Sequence, residues 1–256
     1  SAIAGAFAKD GVFLYVPTGI VVEKPFHSIF FDLQAGSVQV TNIIGIIEEG
    51  ASVSYIHETN SSKGYEPDAL NIGTTEFIVK NNANFAFYEL QNWAESIWNF
   101  THERICAEND SNVEWVIGAL GSRLTKSFIT LDLFGKGSKG KVSGVTFTTH
   151  HQHLDYDTQQ NHLASNTNSD LLFKGGLKDE SRTIWQGMIY VAPGADKADG
   201  YQMNRNLVLS SGARADSIPG LEILADDVRC SHGTSISNVD ADQIFYLLSR
   251  GIPEAE

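Results

Sequence analysis

Three stretches decide the fold: Glu48-Glu49-Gly50-Ala51-Ser52-Val53, Lys80-Asn81-Asn82-Ala83-Asn84-Phe85 and Glu108-Asn109-Asp110-Ser111-Asn112-Val113. Each gathers small and polar residues around Gly, Asn or Asp, which tolerate left-handed backbone angles and so mark tight turns. The series continues as Gly135-Lys136-Gly137-Ser138-Lys139-Gly140, Ala192-Pro193-Gly194-Ala195-Asp196 and Ser210-Ser211-Gly212-Ala213-Arg214-Ala215. Over the middle of the chain the centres lie roughly 27 to 32 residues apart, with one gap about twice as long. Turn chemistry at such a spacing predicts the stacked coils of a β-solenoid. An antiparallel sandwich would also show many short strands separated by turns.

Between the turns the residues alternate. Period-2 patterns or β-branched runs occupy Gly11 to Val16, Ser37 to Ile47, Ser52 to His57, Thr74 to Val79 and Phe85 to Leu90. They recur at Val113 to Leu120, Phe128 to Leu133, Val142 to Thr149, Ile184 to Val191 and Leu207 to Leu209. Alternation sends one side chain in and the next out, so each run offers one apolar face to a core. The chain reads as all-β. Helical periodicity enters only near the end, where Asp240 and Gln243 have capping-box spacing ahead of Ile244, Phe245, Leu247 and Leu248. Gly251 and Pro253 then stop the helix. A β-solenoid core over 1–238 and a C-terminal helical segment over 239–252 are expected.

The 256 residues carry 31 acidic and 18 basic side chains, a formal charge of −13. That balance argues against nucleic acid as a partner, since phosphate binding wants a basic face. The longest apolar runs, such as Ile43 to Ile47, fall far short of the ~20 residues a bilayer span needs. No basic region followed by an apolar one opens the chain, so neither a signal peptide nor a membrane partner is expected. Two cysteines, Cys106 and Cys230, are too few for a disulfide framework and point to a reducing, cytoplasmic setting. Asn60-Ser61-Ser62 and Asn99-Phe100-Thr101 match the glycosylation acceptor pattern, which is common by chance.

Three stretches carry candidate chemistry. Gly135 to Val142 reads GKGSKGKV and superficially fits phosphate-binding motifs, but Val142 stands where a P-loop needs Ser or Thr, and strand-like alternation follows. It is a turn. His150-His151-Gln152-His153, with Asp155, Asp157 and His162, is the densest group of ligand types. On a strand His151, His153, Asp155 and Asp157 would share one face, which makes a cupin-like metal-dependent enzyme the rival reading; a solvated polar ladder is the plain one. Cys230-Ser231-His232-Gly233 is sharper. Cys230 and His232, two apart, lie on one side of an extended segment, where thiolate and imidazole suit a soft metal or sulfide. Two ligands do not close a site, so a second chain would have to complete it. The plain alternative is a buried Cys beside a hydrogen-bonded His. Cys106 is expected to be structural. A secreted β-solenoid adhesin or polysaccharide binder would want a secretion signal.

The last third of the chain resembles a known family. Asn206-Leu207-Val208-Leu209-Ser210, Ala215 to Ile223, Ala225 to Gly233 and Asp242 to Ile252 resemble the SufB/SufD scaffold proteins of SUF iron–sulfur cluster assembly. Weaker likeness extends upstream through Gly175 to Val191, the His153 and His162 region and Glu48 to Val53. The resemblance implies a right-handed parallel β-helix flanked by helical regions. It further implies a non-catalytic scaffold that pairs with a SufB-like subunit or with itself and recruits the SufC ABC-type ATPase, which hydrolyses the ATP. The Cys-Ser-His-Gly form is SufD-like, because SufB typically has Glu where Gly233 stands. By the same resemblance His232, with Cys230 as second candidate, belongs at a subunit interface where a transient cluster forms; no tightly bound cofactor and no catalytic residue are implied. The family's ATPase-docking helices follow the Ser249-Arg250-Gly251-Ile252 segment, so that element is expected to be cut away after Glu256. The amino-terminal helical region is expected to be missing or much shortened before Ser1.

Overall fold

The computed structural model of the protein describes all residues except 1, 32, 34, 63–67 and 254–256. A short helix, α1 (Ala2–Phe7), leads into the strands β1 (Asp10–Val16), β2 (Phe26–Phe31), β3 (Val38–Ile47) and β4 (Ser52–Asn60). Then come β5 (Ala69–Val79), β6 (Asn84–Asn92), β7 (Ile97–Ala107), β8 (Asn112–Ala119), β9 (Leu124–Leu133) and β10 (Lys139–Thr148). The series closes with β11 (His153–His162), β12 (Asn168–Leu177), β13 (Arg182–Val191), β14 (Asp199–Val208), β15 (Arg214–Ile223), β16 (Arg229–Asn238) and the helix α2 (Ala241–Ser249).

Odd-numbered strands form one eight-stranded sheet and even-numbered strands the other, each in numerical order and every pairing parallel. The architecture is a β-solenoid, as the turn spacing predicts, and not an antiparallel sandwich. Each coil gives one strand to each sheet, so residues one coil apart stack. Lys139, Asn168, Asp199 and Arg229 stand in a single register column.

The turns are built as expected. Gly50, Asn82, Asp110 and Gly137 all have left-handed backbone angles, at φ 67°, 57°, 53° and 75°. The long gap in the series is filled by Asn166, also left-handed at φ 59°, whose N–H donates to the Asp196 carbonyl at 2.9 Å. Gly135 to Ser138 likewise forms a turn, and β10 follows directly with no helix to meet a phosphate.

Inward positions fill a continuous core with Tyr55, Phe77, Phe87, Ile105, Trp115 and Leu131. Tyr55 stacks on Phe87 at 5.7 Å, and Phe87 leans on Trp115 at 5.7 Å. Full burial of such side chains is worth roughly 1.5–3 kcal/mol each. Part of the interior is polar: Asn71 donates to Asn99 Oδ1 at 2.7 Å, and Asn99 in turn donates to Thr125 Oγ1. Asn99 is therefore closed to glycosylation in the folded chain. At the C-terminal end Asp240 caps α2 through the N–H of Asp242 rather than that of Gln243. Gly251 ends the helix at φ 86°. The helix's apolar side faces outward, with Phe245 72% exposed.

Candidate functional site

Cys230 and His232 lie on β16, the end strand of the even sheet. Their register partners are Gly200 and Gln202 of β14, both buried. Parallel partners point the same way, so Cys230 and His232 share the interior face of the last coil. The spacing argument holds. Among the described residues β16 is the last strand of its sheet, and the two side chains differ in exposure. Cys230 is half-buried against the small cluster of Ile189, Val191, Ala195 and Ala198, while His232 is exposed.

Gly200 makes room for the thiol. A Cβ at that position would stand 3.3 Å from Cys230 Sγ and 3.0 Å from His162 Nε2. Burial pushes the Cys230 thiol above its ordinary pKa, the N–H of Gly200 opposes the shift, and the charge of Asp199 adds to it. The thiol thus keeps its proton until a metal or electrophile displaces it. The partner on the outer face is also specific. Gly233 stacks beside Met203, and a Cβ there would meet Met203 Cε at 2.7 Å.

His162, grouped by sequence with the polar cluster, sits inside the coil beneath this site. The Thr167 hydroxyl donates to the Ala164 carbonyl and accepts from His162 Nδ1 at 2.7 Å. With the proton of the neutral ring on Nδ1, the Ser169 hydroxyl, which also accepts from Gln160, donates to His162 Nε2 at 2.8 Å. Both ring nitrogens are committed to a neutral imidazole, and burial holds its pKa down to about 4.

The remaining ligand-type residues do not converge. His150 and His151 lie in the turn before β11, not on it; His150 pairs with Glu95 at 2.7 Å and His151 with Glu180 at 3.2 Å. His153, Asp155 and Asp157 do share the outer face of β11, but Lys126 Nζ occupies the place between the carboxylates, 2.9 Å from Asp155 and 2.8 Å from Asp157. Among the described residues no group of three or more His, Cys, Asp and Glu side chains could hold a metal ion. The cupin-like reading is not favoured. Cys106 donates weakly to Asp132, and burial pushes its thiol up to about 11, an inert environment.

Residues 30–256 match the family model described as the SUF system FeS cluster assembly SufBD core domain. The chain belongs to the SufBD family. A SufBD family iron–sulfur cluster assembly protein of Staphylococcus saprophyticus is 32% identical over 259 aligned positions, covering 100% of this chain and 55% of that protein. The iron–sulfur cluster assembly protein SufB of Bacillus subtilis is 31% identical, covering 100% of this chain and 55% of that one. A SufBD family protein of Mycobacterium leprae is 31% identical, covering 99% of this chain and 29% of its own length. The chain thus spans about half or less of these curated relatives. Among the described residues no helix is long and apolar enough to cross a membrane. Sequence reasoning reached Cys230 and His232 but missed Gly200 and Met203, which flank them one coil below. A stacking interval of about 30 residues, applied to Cys230 and Gly233, would have found both.

Proposed function

We propose that the chain is the core of a SufD-like, non-catalytic scaffold subunit of cytoplasmic iron–sulfur cluster assembly. It would present Cys230 and His232 as a half-site for a transient cluster, completed by a SufB-like subunit or a second copy of the chain. A SufC-like ATPase would supply the ATP hydrolysis. The observation that carries the reading is the position of the pair: interior-facing side chains on the last described strand of the even sheet, Cys230 half-buried and His232 exposed. A thiol and an imidazole there meet whatever docks on that edge, and two ligands suit a cluster that must be passed on. The Cys230 proton would leave as iron binds.

The SufD-like assignment rests on Gly233, whose place beside Met203 leaves a side chain such as Glu only by moving the thioether. A SufB-like role has in its favour the name of the Bacillus subtilis relative. Purifying the full-length gene product with its partners, and measuring iron and sulfide bound after reconstitution, tests the proposal. The complex should load cluster, and His232→Ala should lower the load without dissociating the subunits. Full loading by the isolated subunit, unaffected by Cys230→Ser or His232→Ala, would refute it.

A further inference from the structure

Three adjacent strands build a double hollow on the outer face of the odd sheet. Glu76, Arg104 and Thr130 stand in register on β5, β7 and β9, and two residues back Thr74, His102 and Phe128 do the same. Residues two apart on a strand point the same way and stand about 7 Å from each other, so the two rows form one surface. The hollows measure about 250 and 270 Å³, and His102 lines both.

Buried Asp132, 1% exposed, organises the charged hollow. Its carboxylate accepts from Arg104 Nε at 2.5 Å, from Asn161 Nδ2 at 2.6 Å and from the weak donor Cys106 at 3.9 Å. Arg104 is therefore held by one nitrogen, and its two terminal nitrogens have no partner among the described residues. Glu76, its register neighbour, is exposed and makes no ion pair among those residues. Opposite charges on adjacent strands gain by pairing, but here Asp132 has already claimed the guanidinium. An open cation and an open anion thus line one hollow. Thr74 donates its hydroxyl proton to Asn42 Oδ1 at 3.0 Å and keeps a lone pair to accept with.

The second hollow is apolar. Ile72 lines it with Phe100 and Phe128, whose rings are 40% and 44% exposed. Lys126, held by Asp155 and Asp157, lies 4.9 Å from the Phe128 ring centroid and bounds the hollow on that side. Between the two hollows His102 stands edge-on to Phe128 at 5.9 Å, neutral because burial lowers its pKa. A few fixed polar groups beside an apolar slot are the usual make-up of a small-molecule site.

We propose that this double hollow binds a free α-amino acid with an apolar side chain. The terminal nitrogens of Arg104 take its carboxylate in a two-bond fork, with the Thr130 hydroxyl as a further donor. Glu76 and the Thr74 oxygen receive its ammonium group, and its side chain lies across Phe100 and Phe128. The pairing of charges selects the ligand class. A simple carboxylate would be repelled by Glu76 and a simple amine by Arg104, whereas a zwitterion meets both. The site lies on the outer face of the central coils and does not depend on the role given to Cys230 and His232.

Calorimetric titration of the chain with L-phenylalanine tests this, beside glycine, N-acetyl-L-phenylalanine and phenethylamine, which lack the side chain, the ammonium and the carboxylate in turn. Phenylalanine should bind with a dissociation constant of roughly 1 mM or tighter, and each of the others about tenfold more weakly or worse. Arg104→Gln should weaken phenylalanine about tenfold. Should that variant not fold, Glu76→Gln changes only an exposed residue and should erase the preference for phenylalanine over its N-acetyl derivative. No saturable binding at about 10 mM phenylalanine would overturn the proposal. So would equal binding of the N-acetyl derivative by the wild type, the mark of a docked chain terminus, or a preference that Glu76→Gln leaves intact.

Discussion

Acid should weaken this solenoid through two interior histidines. His162 and His57 are each held from an ordinary value of 6.5 down to about 4, chiefly by burial. For His162, burial removes the water that would solvate an imidazolium, and the charge of Asp199 offsets only part of that. Because the folded value is depressed, the stabilisation is complete above 6.5 and is lost as pH falls toward 4. At pH 5, about 1.5 pH units below the ordinary value, the loss is ~2 kcal/mol per histidine, or roughly 4 kcal/mol for the two. That is a large share of the 5–15 kcal/mol typical of a domain. Urea unfolding at pH 7.5 and pH 5 measures the total, and His162→Gln removes one contribution because its amide does not titrate. The variant should lose ~2 kcal/mol less than the wild type over that interval, whatever its stability at pH 7.5. Equal losses in the two proteins would refute the reasoning.

The site and the core make further predictions. Gly200→Ala places a Cβ against Cys230 Sγ and His162 Nε2, so it should lower stability by ~1 kcal/mol and speed the reaction of Cys230 with a thiol reagent, read by absorbance and urea unfolding. Trp115→Ala removes a completely buried ring in contact with Phe87 and should cost about 3–5 kcal/mol in the same unfolding assay. Lys126→Ala leaves Asp155 and Asp157 facing each other half-exposed, with an expected loss of ~1 kcal/mol that shrinks in high salt.

What the sequence made legible follows from where water lies. Coils in the apolar middle announced themselves: the alternation of Ile184 to Val191 is the core of β13, and Val142 to Thr149 nearly coincides with β10. Strands with polar interiors were harder to see. Only the end of β14 is apparent, because its inward residues Gln202, Asn204 and Asn206 are buried amides. Strand β15 contains Pro219, which reads as a break; it is tolerated because β15 pairs on one side only, with β13. Strand β16, RCSHGTSISN, has little apolar alternation, and most of its residues are exposed. The turn at Asn166 went unnoticed because it has no glycine, although asparagine adopts the same angle. The Cys230 and His232 pair was visible as a spacing and by resemblance. Its openness is a property of position in the stack, which no local pattern encodes. In the His150 to His153 group only His151 departs from the expected strand face: the turn at His150, left-handed at φ 50°, separates it from His153, Asp155 and Asp157, which do share that face.

One spectroscopic measurement reaches the proposed role most directly. The full-length gene product, carrying ¹⁵N-histidine while its partner subunit stays unlabelled, would be loaded with cluster, reduced, and studied by pulsed electron paramagnetic resonance. A ¹⁵N coupling to the cluster that disappears in His232→Ala is the predicted result. A cluster with no ¹⁵N coupling, or one whose coupling survives that substitution, would contradict the account.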